Sequence, residues 1–163
     1  MTIKNVGRAS LALALVAVAA SSAQAQTANQ TVTFQVNAVN QIAFTGAPSL
    51  TITTAVAGSA PTSVTDASAS WAVTTNQTGA KITASIPSNM AAGLTLSSSL
   101  TAPTGGTSAG FQALTTVAAD LVTGITKVAQ GSLGVSYKLD ATAAAGVVAS
   151  SSRVVTYTIT GGT

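Results

Sequence analysis

The sequence predicts an all-β protein, a single antiparallel β-sandwich of about eight or nine strands that follows a cleaved N-terminal signal peptide. Three observations carry that prediction. Apolar residues alternate with hydroxyl and amide residues, as in Thr31-Val32-Thr33-Phe34-Gln35-Val36, and a period of two sends one set to a core face and the other to solvent. Turn signals punctuate these runs at Gly46-Ala47-Pro48, Gly58-Ser59-Ala60-Pro61, Asn76-Gln77-Thr78-Gly79, Pro103-Thr104-Gly105-Gly106 and Gly161-Gly162, where glycine and proline supply backbone angles that strands do not use. All six aromatic residues, Phe34, Phe44, Trp71, Phe111, Tyr137 and Tyr157, fall in candidate strands, as expected of rings that fill the space between two sheets.

The leader comes first along the chain. Lys4 and Arg8 form a basic start, Leu11 to Ala20 an apolar run of ten residues, and Ala23-Gln24-Ala25 a small-x-small pattern, which together describe a secretory signal peptide cleaved after Ala25. The apolar run ends at Ser21 and Ser22, about half the length that a membrane span needs. The chain contains no cysteine to carry a lipid, so no stable membrane anchor is expected. Residues 1–25 are thus read as signal peptide and 26–163 as the β-sandwich domain, secreted, on the cell surface or in a periplasm.

The strands follow in order. Thr31 to Val36 reads as a half-buried strand with Val32, Phe34 and Val36 on its apolar face. Gln41 to Phe44 is a short strand, and the same alternation recurs at Leu50/Ile52, Trp71/Val73, Ile82/Ala84/Ile86 and Leu94/Leu96. Phe111 to Thr115 is a weaker strand, Leu133/Val135/Tyr137/Leu139 a longer one, and Val155/Tyr157/Ile159 closes the domain. Val117 to Val122 is expected to form one helical turn, with no longer helix elsewhere. Trp71 is expected at the centre of the core.

Composition narrows the chemistry. The sequence has no histidine, no cysteine and no glutamate, the side chains that perform most general acid-base catalysis, nucleophilic attack and metal ligation. An enzyme is therefore not expected, and neither is a cofactor. Beyond the leader, Lys81, Lys127, Lys138 and Arg153 face Asp66, Asp120 and Asp140, a formal net charge of +1. Four scattered cations make no basic face, so nucleic acid is not an expected partner. Three aspartates spread along the chain do not group as a calcium loop does. A serine-lysine pair would need a buried lysine beside a strained serine, and no such turn motif is present. Two Asn-x-Thr triplets, Asn29-Gln30-Thr31 and Asn76-Gln77-Thr78, would matter only in a host that glycosylates them. Rows of the form Thr-x-Thr, at Thr31/Thr33, Thr51/Thr53 and Thr156/Thr158/Thr160, put threonines on one face of a strand, where they suit an exposed sheet.

What the chain lacks at its sheet edges points to assembly. Exposed edge strands are usually blunted by lysine, proline or inward charges, yet seven charged side chains serve everything after the leader. The polar stretch Gln26 to Gln30 leads into the alternating strand with Val32, Phe34 and Val36, which either completes its own sandwich or inserts into a neighbour's by strand addition. Insertion into a neighbour would propagate head to tail.

The stretch Val135-Ser136-Tyr137-Lys138-Leu139-Asp140-Ala141, then Ala145-Gly146 and the closing strand Arg153 to Thr160, resembles the end of secreted bacterial sandwich modules of the pilin and spore-coat-U type. That resemblance implies an immunoglobulin-like, pilin-like sandwich and an extracellular fibre or coat role. This chain departs from those families in having no disulfide and in ending Gly161-Gly162-Thr163. The expected function is an exported, non-catalytic structural protein of the cell surface, matrix or a fibre, self-associating or joining other surface proteins through strand edges. The alternative is a monomeric secreted module that binds a polysaccharide or another surface ligand.

Overall fold

Among residues 25–162, those described in this computed structural model, nine strands follow one another. They are β1 (Asn40–Thr45), β2 (Val64–Thr75), β3 (Ala80–Ser85), β4 (Leu94–Leu100), β5 (Thr107–Ser108), β6 (Gln112–Ala113), β7 (Ala119–Ile125), β8 (Val128–Ala141) and β9 (Thr156–Thr160). They build two sheets, one in the order β1-β2-β8-β4-β6 and the other in the order β5-β7-β3-β9. Every pairing is antiparallel. Residues from Val36 onward form a compact unit of their own.

Period-two burial explains why these residues pack as they do. On β2, Ala69, Trp71 and Val73 are buried, and on β3 so are Ala80, Ile82 and Ala84. Leu121 and Ile125 of β7 and Leu100 of β4 join them in one apolar cluster drawn from both sheets. Burying Trp71 would leave its indole N–H unsatisfied, but it donates to the Thr101 carbonyl oxygen at 3.1 Å, as a buried tryptophan requires. The chain passes from the first sheet to the second through Asn76-Gln77-Thr78-Gly79, where Gly79 adopts a φ of 75° that a side chain would strain.

Several sequence expectations are corrected. Thr31 to Val36 carries no regular secondary structure: alternation selects a face, but a strand also needs an edge to pair with. Leu50 and Ile52 lie in no strand, and the only pairing nearby is an isolated bridge between Ala55 and Pro61. There the Ser49 N–H donates to the Asp66 carboxylate at 2.8 Å, so a side chain takes the place of a ladder. Phe111 to Thr115 shrinks to the two residues of β6. Val117 to Val122 is not a helical turn but runs into β7. Adjacent Leu121 and Val122 are both buried, because the β3–β7 pairing shifts register around Ile82, and a bulge breaks the period of two that marks a strand. The aromatic expectation holds for Trp71, whereas Phe34 and Phe111 are exposed.

Candidate functional site

The four sheet edges are not alike. β5 and β6 are two residues long, and such brevity leaves little ladder to offer a neighbour. β1 has six residues, Asn-Gln-Ile-Ala-Phe-Thr, and β9 has five, Thr-Tyr-Thr-Ile-Thr. Each is hydrogen-bonded as a strand on one side only, β1 to β2 and β9 to β3. Neither contains a charge or a proline.

These two edges lie on the same side of the paired sheets and run antiparallel across it. At one end Gly161, just past β9, comes so close to Asn40 that a Cβ would sit 2.6 Å from its Nδ2. At the other end Phe44 of β1 stacks on Tyr157 of β9, with ring centroids 3.9 Å apart and planes 15° apart. Phe44 also stacks on Trp71 at 5.9 Å, which links the seam to the core. Alternation does the positioning: Ile42 and Phe44 turn inward from β1, Tyr157 and Ile159 from β9, while Gln41, Ala43, Thr156 and Thr158 face out.

Beside the stacked rings a groove of about 700 Å³ opens between the sheets. Ile42, Phe44 and Tyr157 line it from the edges, and Leu96 and Leu139 from β4 and β8. The segments 48–51 and 150–153 flank it. A chain of hydroxyls runs beneath the rings. The Tyr157 hydroxyl donates to Tyr137 Oη at 2.8 Å, and Ser98 Oγ lies 3.0 Å from Tyr157 Oη. Ser98 is fully buried, so the tyrosine supplies the partner that a buried hydroxyl needs. Burial pushes the Tyr157 phenol well above its ordinary pKa. It is a neutral hydrogen-bonding group at all ordinary pH values.

Val32, Phe34 and Val36, the assembly residues read from the sequence, are 72%, 89% and 82% exposed. Three alternating apolar side chains thus stand in solvent, although burial of each would be worth about 1.5–3 kcal/mol. Of the residues marking the cleavage site, Ala25 is exposed and without regular structure, and Ala23 lies outside the described residues.

Immediately after this segment, residues 37–39 are tied to the turn between β2 and β3. The Val39 carbonyl accepts from the Asn76 N–H at 3.2 Å, Val39 N–H donates to Asn76 Oδ1 at 2.8 Å, and Asn76 Nδ2 donates to the Asn37 carbonyl at 2.8 Å.

Among the described residues, Arg153 is the charged residue in the groove's lining, on its flank. Lys81 pairs with Asp120 at 2.9 Å and Lys138 with Asp140 at 3.0 Å, all near the surface. Lys138 also lies 5.7 Å from the Phe111 ring centroid. The Ser68 side chain, with the Ser49 and Ser68 amides, holds the Asp66 carboxyl below its ordinary pKa. For Asp140 the Ser63 hydroxyl does so chiefly, with Lys138 assisting against partial desolvation. Among the described residues, no three acidic, histidine or cysteine side chains gather as a metal site would require.

Phe44 and Tyr157 were not singled out as functional by the sequence, and Asn76 was noted only as part of a glycosylation triplet. The two rings are visible as strand aromatics, but nothing in the order of residues says that their strands are edges facing each other. No family model, no curated protein and no solved structure matches the chain.

Proposed function

We propose that this protein is an exported, non-catalytic subunit of a surface fibre or coat, polymerising by strand addition. In that assembly Thr31–Val36 of one copy enters the seam between β1 and β9 of the next. One pairing of observations carries the reading: an exposed alternating segment with three apolar plugs, and two edges of matching length that carry no charge or proline, beside a groove with apolar strand residues on its floor and a polar rim. The segment would add backbone hydrogen bonds along an open edge, while Val32, Phe34 and Val36 fill the groove. Donor and acceptor are different surfaces of one molecule, so the contact is heterologous and continues as an open fibre rather than closing as a dimer.

Cleavage after Ala25 would leave Gln26–Gln30 as a short polar lead to the donor strand. The domain would then be an immunoglobulin-like sandwich completed by a strand from its neighbour, in keeping with the resemblance of its first and last quarters to pilin and spore-coat-U modules. The lack of histidine, cysteine and glutamate suits a structural role.

Electron microscopy and sedimentation of the chain from Gln26 onward test the reading. Filaments are expected from the native sequence, and Phe34→Asp should reduce assembly about 10- to 100-fold, because it forfeits the roughly 1.5–3 kcal/mol of burying the ring and brings in a carboxylate that must shed hydration. Monodisperse particles from the native chain, or filaments from Phe34→Asp formed as readily as before, would overturn it.

A further inference from the structure

A segment that ends three residues before β1 has two destinations in this assembly. It can turn back along the free edge of its own β1, or it can enter a second copy. Turning back makes residues 37–39 the loop of a three-residue hairpin, which must reverse direction and place one residue in the left-handed region. The returning strand would lie on the side of β1 opposite to β2.

The structure holds residues 37–39 on the β2 side instead. Asn40 pairs with Thr75, and the bond from Asn76 N–H to the Val39 carbonyl carries that register one step further. Beyond it the Asn76 side chain stands in for a ladder residue, its Oδ1 accepting from Val39 N–H and its Nδ2 donating to the Asn37 carbonyl. The Asn76 amide is itself fixed, because Gln77 Nε2 donates to Oδ1 at 2.8 Å. A hairpin loop over 37–39 would have to carry the Asn37 carbonyl away from Asn76 and break this clamp.

We infer that Asn76 is a positioning residue that commits the N-terminal segment to a second copy and keeps it out of the groove of its own chain. The inference rests on the assembly reading above. Loss of the side chain removes two hydrogen bonds that only the trans-ready geometry makes, enough to shift the balance between self-pairing and exchange about ten-fold.

The test compares the chain from Gln26 onward with its Asn76→Ala and Asn76→Asp variants at equal concentration. Sedimentation reads the monomer fraction, and hydrogen exchange of the monomer reads the amides of residues 31–36. Asn76→Ala should raise the monomer about ten-fold, with residues 31–36 newly protected in that monomer. Asn76→Asp, close to isosteric and able to accept from Val39 but not to donate to Asn37, should fall between. The aspartate variant keeps the comparison informative if the alanine variant does not fold. Polymer yields equal to the native chain in both variants, or extra monomer whose residues 31–36 exchange freely, would overturn the inference while leaving the assembly reading standing. A native chain that forms no polymer, or one whose polymer survives Phe34→Asp, would remove both.

Discussion

Tyr157 shows how much a single residue carries here. Its ring packs on Phe44, its hydroxyl links buried Ser98 to Tyr137, and its backbone belongs to an edge strand. Tyr157→Phe keeps the ring and removes the link, leaving Ser98 without this partner in a site of 0% exposure. The expected loss is about 1–3 kcal/mol, read as a lower urea midpoint with unchanged slope. Had the hydroxyl only decorated a solvent-facing ring, the change would be within ~0.5 kcal/mol. The sequence identifies Tyr157 as an apolar-face residue by alternation alone. Its partners lie 20 and 59 positions away, and no local pattern could name them.

Among the elements, the two long edges differ from the two short ones in what they leave available. β1 and β9 each leave one backbone edge without a strand partner beside uncharged side chains, the arrangement that strand addition needs. Ala43 and Thr158 face outward from these strands. Ala43→Lys together with Thr158→Lys should therefore leave stability within about 1 kcal/mol by thermal melting, since both side chains are exposed. The same pair should slow polymerisation at least ten-fold in light scattering, because a strand docking beside either lysine must desolvate or displace it. Unchanged assembly kinetics would mean that the seam is not the acceptor. The element boundaries were only partly legible. β1, β3 and β9 alternate along their whole length and β2, β4 and β8 only in part, whereas Val117–Val122 misled because a bulge let consecutive residues face the core.

For the molecule as a whole, scarcity of charge sets its response to pH. With no histidine and no glutamate, no side chain of ordinary pKa titrates between about pH 5 and 9. Asp66 and Asp140 have folded-state pKa values below their ordinary ones. Such groups contribute stability that is present above the unfolded carboxylate value, about 3.9, and is lost as pH falls through the lowered folded value. The melting temperature should accordingly be flat from about pH 5 to 9 and drop only below about pH 4. Asp66→Asn should lower the plateau and flatten the acid limb. A slope near pH 6 to 7 in a melting series would contradict this account.

The sequence by itself determined the all-β class, the alternating faces, the central place of Trp71 and the sparseness of ionisable groups, because side-chain period and composition are local properties. Only the tertiary structure decided that Thr31–Val36 stands outside the strands, that β1 and β9 are facing edges and that Asn76 reaches back to Asn37 and Val39. The physical reason is that alternation fixes which face of a strand is apolar but not which strand lies beside it. Pairing depends on backbone bonds between residues far apart in the chain, and every strand in this fold offers the same backbone.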